Sequence, residues 1–344
     1  MNILELNFEQ TWRGGERQTL YNMRGFRNAG REVALVCRKG FPLEQKSKEE
    51  GFNVYSFNNI FGVIIFLITQ GRKFEVLHAQ SSHILTYCLL TKPFHRRKIV
   101  FTRRVDFVPK GSLTRWKYRK TDKLVAISNA VKEIVSNFSG RNDVSMISDI
   151  ALPQRLDKDR AIRILKDARV DGSKHIIGTT AAFVPHKDPL TMVEAIHELS
   201  KMRSDFVFLH FGDGELIEAI KYRIAELGLK DVYRLMGFHD NVEDVFSVLE
   251  VFVMSSVEEG LGSSVLDAFM YKVPVVSTDA GGLKDLVSEG RGILCTQKDK
   301  LAIAKGIDQF LNNEANSAIT NAAFNYVQQH HSIEYVTQQY LQIL

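Results

Sequence analysis

Apolar and polar positions along the chain switch repeatedly between two periods. Short apolar runs are each followed by a segment with apolar residues at three- and four-residue spacing, so strands alternate with amphipathic helices. Ile3–Asn7 is a predicted strand, and Gly14 to Ala29 a predicted helix with Leu20, Met23 and Phe26 on one face and Gly30 as its stop. Strands follow at Glu32–Cys37, Val54–Phe57, Val76–His78, Ile99–Thr102 and Lys123–Ser128, with a helix over Asn129–Asn137 and a short strand at Asp143–Ile147. Ala151–Asp171 reads as a charged, partly helical connection. The series then restarts. Strands are expected at Ile176–Thr179, Phe206–Phe211, Val232–Met236, Val251–Met254, Val273–Ser277 and Gly292–Leu294. Helices are expected at Asp188–Lys201, Glu215–Leu227, Val242–Val248, Ser263–Tyr271 and, last, Ser332–Leu344. Such alternation makes parallel sheets covered by helices on both faces. A chain of 344 residues is long enough for two such α/β domains, and the restart places their boundary near residue 155.

Composition is that of an ordinary globular protein, with 44% hydrophobic and 25% charged residues and no low-complexity tract. The most apolar stretch, IFGVIIFLIT (60–69), is short of the roughly 20 residues that span a bilayer and reads as a buried helix or strand. The opening MNILELNFE reads as a strand, not a signal peptide. Cys37, Cys88 and Cys295 are far apart and form no CxxC, which suits buried thiols in a reducing compartment. No His pair has metal-ligand spacing, so no metal site is expected. Charge is uneven. Residues 1–155 hold 26 Lys+Arg against 13 Asp+Glu, and the remainder 19 against 27. The basic half is expected to meet something anionic. The run RWKYRK (115–120), with Trp116 and Tyr118, suits an anionic membrane surface or single-stranded nucleic acid.

Open parallel sheets bind ligands beyond the carboxyl ends of their strands, so the loops there carry the chemistry. The strongest signal is SSVEEGLGSSVLDAFMYKVPVVSTDAGG (255–282). A strand ends at Met254, a loop with two acids and two glycines follows, and a helix starts near Ser263. Gly262, Ser263 and Ser264 would aim backbone N–H groups outward at a helix N-terminus, where a diphosphate fits. Glu259 and Asp267 could grip hydroxyls on either side of it.

This segment resembles the donor-binding signature of the family-4 retaining glycosyltransferases. The matches are Ser256, Glu259, Gly260, Gly262, Ala268, Pro274, Val275, Val276, Gly281 and Gly282. GTTAAFVPHKDPLTMVEAI (178–196) is similar to the segment in which an Arg and a Lys clamp the donor diphosphate; Lys187 matches the Lys and Ala182 stands at the Arg position. LHFGDGELIEAI (209–220), with Gly212 and Gly214, and RLMGFHDNVEDVFSVLEVFV (234–253) resemble two further donor segments. Trp12–Glu16 resembles the family's Gly-Gly-x-Glu loop through Gly14 and Gly15, and VFTRRVDF (100–107) holds Arg103 and Arg104 where the family has a sugar-proximal His. Asp267 in place of Glu, and Lys272–Val273 in place of the usual glycine, are departures from the pattern.

The resemblance implies a GT-B fold: two Rossmann-like doubly wound domains facing a cleft, the first an acceptor domain (1–155), the second a nucleotide-sugar domain (156–325), with a C-terminal helix (326–344) crossing back to the first. It implies retaining, metal-independent transfer of a sugar from a nucleotide diphosphate-sugar to a glycan or lipid-linked acceptor, in bacterial lipopolysaccharide or other envelope polysaccharide synthesis. Glu259 would approach the transferred sugar and Lys187 the diphosphate, while Arg103 or Arg104, near the sugar, would restore the phosphate charge missing at Ala182 or meet an anionic acceptor. Asp267 would hold the ribose, the backbone at Met236, Gly237 and Phe238 the base, and Gly260, Leu261, Gly262, Ser263 and Ser264 the rest of the donor. No cofactor is expected beyond the donor itself, and no nucleic-acid partner. The expected location is cytoplasmic, with a peripheral position on the inner face of the membrane. A nucleotide-sugar 2-epimerase, or a non-catalytic protein binding sugar nucleotides or nucleic acid, is the alternative.

Overall fold

The computed structural model describes residues 1–170, 174–239, 241–312 and 316–344. The end of the 151–171 connection, Asp171, lies outside them. The chain divides into two compact units: Met1–Ile150 with His330–Leu344, and Ala151–Gln329.

Among the described residues, the first unit has seven strands: β1 (Asn2–Asn7), β2 (Glu32–Arg38), β3 (Asn53–Phe57), β4 (Val76–Ala79), β5 (Lys98–Arg103), β6 (Lys123–Ala126) and β7 (Ser145–Met146). They form one parallel sheet in the order 3-2-1-4-5-6-7. Its helices are α1 (Gly14–Asn28), α2 (Pro42–Glu49), α3 (Ile60–Gln70), α4 (Ser82–Leu90), α5 (Lys92–His95), α6 (Ser112–Lys120) and α7 (Asn129–Ser139). The second unit begins with α8 (Lys158–Asp167) inside the charged connection. It continues with β8 (His175–Thr180), α9 (Pro189–Ser200), β9 (Phe206–Phe211), α10 (Ile217–Glu226), β10 (Tyr233–Gly237), β11 (Val251–Met254), α11 (Ser263–Met270), β12 (Val275–Thr278), α12 (Gly282–Val287), β13 (Ile293–Cys295), α13 (Lys300–Asn312) and α14 (Ser317–His330). Its sheet is parallel in the order 10-9-8-11-12-13. Strand order therefore reverses beside β1 and β4 in one unit and beside β8 and β11 in the other, which marks two topological switch points.

The central strands are apolar on both faces because helices cover both; every residue of β9 is buried. The last helix, α15 (Ile333–Ile343), is capped by Ser332 and belongs to the first unit. It lies so close to α1 that a side chain on Gly25 would strike Thr337 Oγ1 at 2.0 Å. Tyr340 is buried against Phe26 at 6.1 Å between ring centroids.

Three sequence expectations change. The apolar run at 60–69 is a helix, but only Val63, Phe66 and Leu67 of it are buried. The expected short helix at 242–248 is a 3-10 turn, Val242–Ser247. The basic aromatic run lies on α6, where Lys117 and Tyr118 turn inward instead of facing a partner. The Lys117 ammonium donates to the Ser82 carbonyl at 3.0 Å, and the Tyr118 hydroxyl accepts from Arg103 at 2.8 Å. All three cysteines are buried, and burial pushes the Cys37 and Cys88 thiols up to about 12 and that of Cys295 to about 11.

Candidate active site

The loops after β8 and β11, at the second unit's switch point, are stitched together. Ser255 Oγ donates to the carbonyls of Lys187 and Asp188 at 3.0 Å each, and the Val257 amide donates to the His186 carbonyl at 2.9 Å. Thr278 Oγ1 holds the Ser256 carbonyl at 2.6 Å, and the Gly282 amide holds that of Glu259 at 2.8 Å. This frame brings Lys187 and Glu259 into an ion pair, 72 residues apart in sequence, with both side chains largely shielded from water. Ser256 Oγ donates to the same carboxylate at 3.4 Å.

Close backbone approach dictates the glycines here. A Cβ on Gly282 would lie 2.5 Å from the Gly260 carbonyl oxygen, and one on Gly262 would lie 2.5 Å from Leu283 Cδ2. Gly262 is also left-handed (φ 104°) and caps α11 with no side chain, which leaves the first-turn N–H groups of Ser263 and Ser264 to an anion or to water. Ser264 Oγ donates back to the Thr180 carbonyl at 3.3 Å. Asp267 sits one turn into α11, half-buried. Lys272, where the signature has glycine, adopts the left-handed conformation (φ 58°) that glycine takes without strain.

The turn after β9 packs against the loop after β8. A Cβ on Gly212 would lie 2.1 Å from the Ala181 carbonyl oxygen, and one on Gly214 would lie 2.5 Å from that of Phe183. His210, a histidine inside the apolar strand β9, completes this junction, and sequence reasoning missed it. Its Nε2 faces the Ala181 carbonyl at 3.0 Å, so that nitrogen carries the proton; Nδ1 accepts from the Tyr233 hydroxyl at 2.6 Å. The ring stacks on Phe183 with centroids 4.0 Å apart. Burial holds its pKa down at about 3, so it stays neutral. At the end of β10, the Gly212 amide donates to the Gly237 carbonyl at 2.8 Å and His239 contacts the Met236 carbonyl at 3.0 Å, while Phe238 is exposed. At the clamp position stands Ala182. Arg203, Arg223 and Arg291 are engaged elsewhere, with Asp205, Glu194 and the Asp285 carbonyl.

In the first unit, Gly14 and Gly15 open α1, and the Glu16 carboxylate accepts from the Arg13 amide at 2.9 Å. Burial raises the Glu16 pKa against the hydrogen bonds that lower it. The two arginines after β5 separate. Arg103 points into the fold, bonded to Tyr118 and to the Phe107 carbonyl at 2.5 Å. Arg104 lies beside Gly15, its Cδ 4.0 Å from where a Cβ would be. It pairs with Asp149 and donates to Gln80 at 3.0 Å.

Behind Arg104 runs a buried polar chain that sequence reasoning also missed. Gln80 donates to Glu5 at 2.7 Å. His78 bridges Glu5 at 2.7 Å and Thr102 at 2.8 Å, and Thr102 reaches the Tyr340 hydroxyl at 3.0 Å. His331 holds the Asp149 carbonyl at 2.9 Å. Buried charge persists only with such partners.

Comparison with known proteins agrees with this geometry. Residues 162–326 match the family described as Glycosyl transferases group 1, and residues 12–148 match Glycosyltransferase Family 4. The lipopolysaccharide core biosynthesis glycosyltransferase LpsE of Rhizobium meliloti (strain 1021) is 28% identical over 230 residues, 66% of this chain and 65% of that protein. The 2-deoxystreptamine glucosyltransferase of Streptomyces kanamyceticus is 27% identical over 59% of this chain and 55% of its own length. The aligned stretches thus span less than two thirds of either relative. Among solved structures, HepE of Anabaena in complex with UDP-glucose superposes with a TM-score of 0.85 at 17% identity, over 99% of this chain and 98% of that one. A glycosyltransferase from Rickettsia africae ESF-5 gives 0.87 at 20% identity, over 99% and 97%. At these identities the structural likeness is one of fold.

Proposed function

The chain belongs to the group 1 and family 4 glycosyltransferases of the GT-B fold, and from that premise we propose that it transfers a sugar, with retention and without a metal ion, from a nucleotide diphosphate-sugar to a glycan or lipid-linked acceptor. The observation that carries this is the Lys187–Glu259 pair, set beside the uncapped N-terminus of α11. Breaking the bond between the anomeric carbon and the diphosphate sends an electron pair to the leaving nucleoside diphosphate. Lys187 and the α11 amides stabilise that charge. Glu259 faces the transferred sugar, Asp267 the ribose, and the backbone at Met236–Phe238 the base. With Ala182 at the clamp, Lys187 is the cation that this unit offers the diphosphate. Arg104, the less enclosed of the two arginines, is the one left to meet an anionic group, and Arg103 supports its loop.

Relatives named for lipopolysaccharide core synthesis, and for adding a sugar to a diphosphoundecaprenol-linked acceptor, favour an envelope glycan as the product. A lipid-linked acceptor would be met from a peripheral position on the inner face of the cytoplasmic membrane. HepE binds UDP-glucose, so UDP-sugars come first in the test, followed by GDP- and ADP-sugars. Slow donor hydrolysis and thermal stabilisation are measured for wild type and Glu259→Ala, with and without EDTA. The expected result is stabilisation by one donor family and hydrolysis that resists EDTA and falls at least about a hundredfold in the variant. Tight, salt-sensitive RNA binding with no response to any donor would replace this reading with the nucleic-acid alternative.

A further inference from the structure

From Ile60 to Gln70, α3 carries no charged residue. Its inner face, Val63, Phe66 and Leu67, is buried, as in any amphipathic helix. Its outer face, which in water should be polar, carries Phe61 and Ile65, 72% and 62% exposed. One ridge reads Phe61, Ile65, Thr69 and then Arg72 in the 3-10 turn Gly71–Lys73, all exposed. The neighbouring α5 extends it. Arg72 donates to the Phe94 carbonyl at 2.7 Å, Arg97 donates to the Arg72 carbonyl at 2.5 Å, and Gly71 closes on His95. Across the α4–α5 junction stand Leu90 and Phe94, 58% and 50% exposed.

The unpaired charges beside these four apolar side chains are cationic. Among the described residues, Arg72, Lys73, Arg96 and Arg97 have no carboxylate within ion-pair distance, and the local pair is Lys92–Asp122 at 2.7 Å. Large apolar side chains held in water beside unpaired cations complement an anionic lipid interface. Acyl chains take the first and headgroup phosphates the second. The α6 run that its composition nominates is less suited, because Lys117 and Tyr118 are buried.

We propose that the α3–α5 face seats the first unit on an anionic membrane, with Phe61, Ile65, Leu90 and Phe94 inserted and Arg72, Lys73, Arg96 and Arg97 at the phosphates. No helix among the described residues is long and apolar enough to cross a membrane, so the contact is interfacial. The proposal deepens the peripheral placement above by naming its face, and it does not depend on the transferase chemistry.

Co-sedimentation of the full chain with phosphatidylcholine vesicles, with and without phosphatidylglycerol, tests it. Three variants accompany wild type: Phe61→Ser with Ile65→Ser, Arg96→Glu with Arg97→Glu, and Arg115→Glu with Trp116→Ser on α6. Melting temperature shows that each folds, and hydrolysis of soluble donor reports the transferase reading separately. Wild type is expected to bind only the anionic vesicles, and the first two variants about tenfold or more weakly. Three results would overturn the proposal: no binding to anionic vesicles, loss confined to the α6 variant, or a concentration-dependent dimer that the Phe61/Ile65 variant abolishes in place of vesicle binding.

Discussion

A Cβ built on Gly282 lies 2.5 Å from a carbonyl oxygen of its own unit, and one on Gly212 lies 2.1 Å from another; in the first unit, a Cβ on Gly15 meets only Arg104 Cδ, at 4.0 Å. In the second unit, then, the glycines near the candidate site are demanded by the protein's own packing. The turns after four strands, β8, β9, β11 and β12, touch backbone to backbone, and their shape exists before any ligand does. In the first unit the fold would accept a side chain at the equivalent turn. Rigidity there comes from side chains instead: a chain of buried polar groups, from Tyr340 through Thr102 and His78 to Glu5, then through Gln80 to Arg104. Two units with one strand order thus fix their switch-point loops by different means.

The sharpest way to break this contrast is Gly282→Ala. Its methyl meets main chain that cannot yield without moving Gly260 and Leu261, so a loss of about 3 kcal/mol is expected in chemical denaturation. Next comes Lys187→Ala. Losing a charge-assisted contact to the diphosphate should weaken donor affinity about tenfold to a hundredfold by isothermal titration. An unchanged affinity would return the clamp to another residue.

Acid then acts on each unit through its own buried groups. His210 stays neutral when folded, with a pKa of about 3, while the unfolded chain takes a proton near 6.5. Its contribution is complete above pH 6.5 and is lost as pH falls towards 3, at no more than about 1.4 kcal/mol per pH unit. In the first unit burial would raise the Glu44 carboxyl, but Lys48, Ser56 and the Gly40 amide hold it at about 2 against 4.5. Its contribution survives to pH 4.5 and is lost below. His95 in the first unit is likewise held below 6.5 by burial, so both units lose stability as pH falls from 7, and His210→Gln should flatten the second unit's share of that slope. The smallest effect expected is on the stability of Gly15→Ala, within about 0.5 kcal/mol of wild type. Donor turnover is where that variant should differ. A Gly15 variant as unstable as Gly282→Ala would erase the distinction between the units.

How much could be read beforehand follows the same division. Glu259, Gly260, Gly262 and Gly282 lie within one stretch of sequence, so their spacing carries the loop's geometry. Glu5, His78, Thr102 and Tyr340 come from the two ends and the middle of the first unit. Each is a lone polar residue in an apolar neighbourhood, and only the sheet register makes neighbours of Glu5 and His78. The apolar run at 60–69 was legible only as a helix or strand, and not as a surface, because a segment apolar all round leaves no sign of which side meets water. On α6, burial of Lys117 depended on the Ser82 carbonyl, which no local pattern reveals.

The return of α15 to the first unit also sets an order of assembly. A chain leaving the ribosome presents residues 1–150 first, yet the partners of Thr102, of Gly25 and of the Asp149 carbonyl lie at 340, 337 and 331. The whole of the second unit emerges while the first still lacks its last helix. Domains generally fold as units in the order of synthesis; here the half made first is the half finished last, and its polar interior closes only when the final turns of helix arrive.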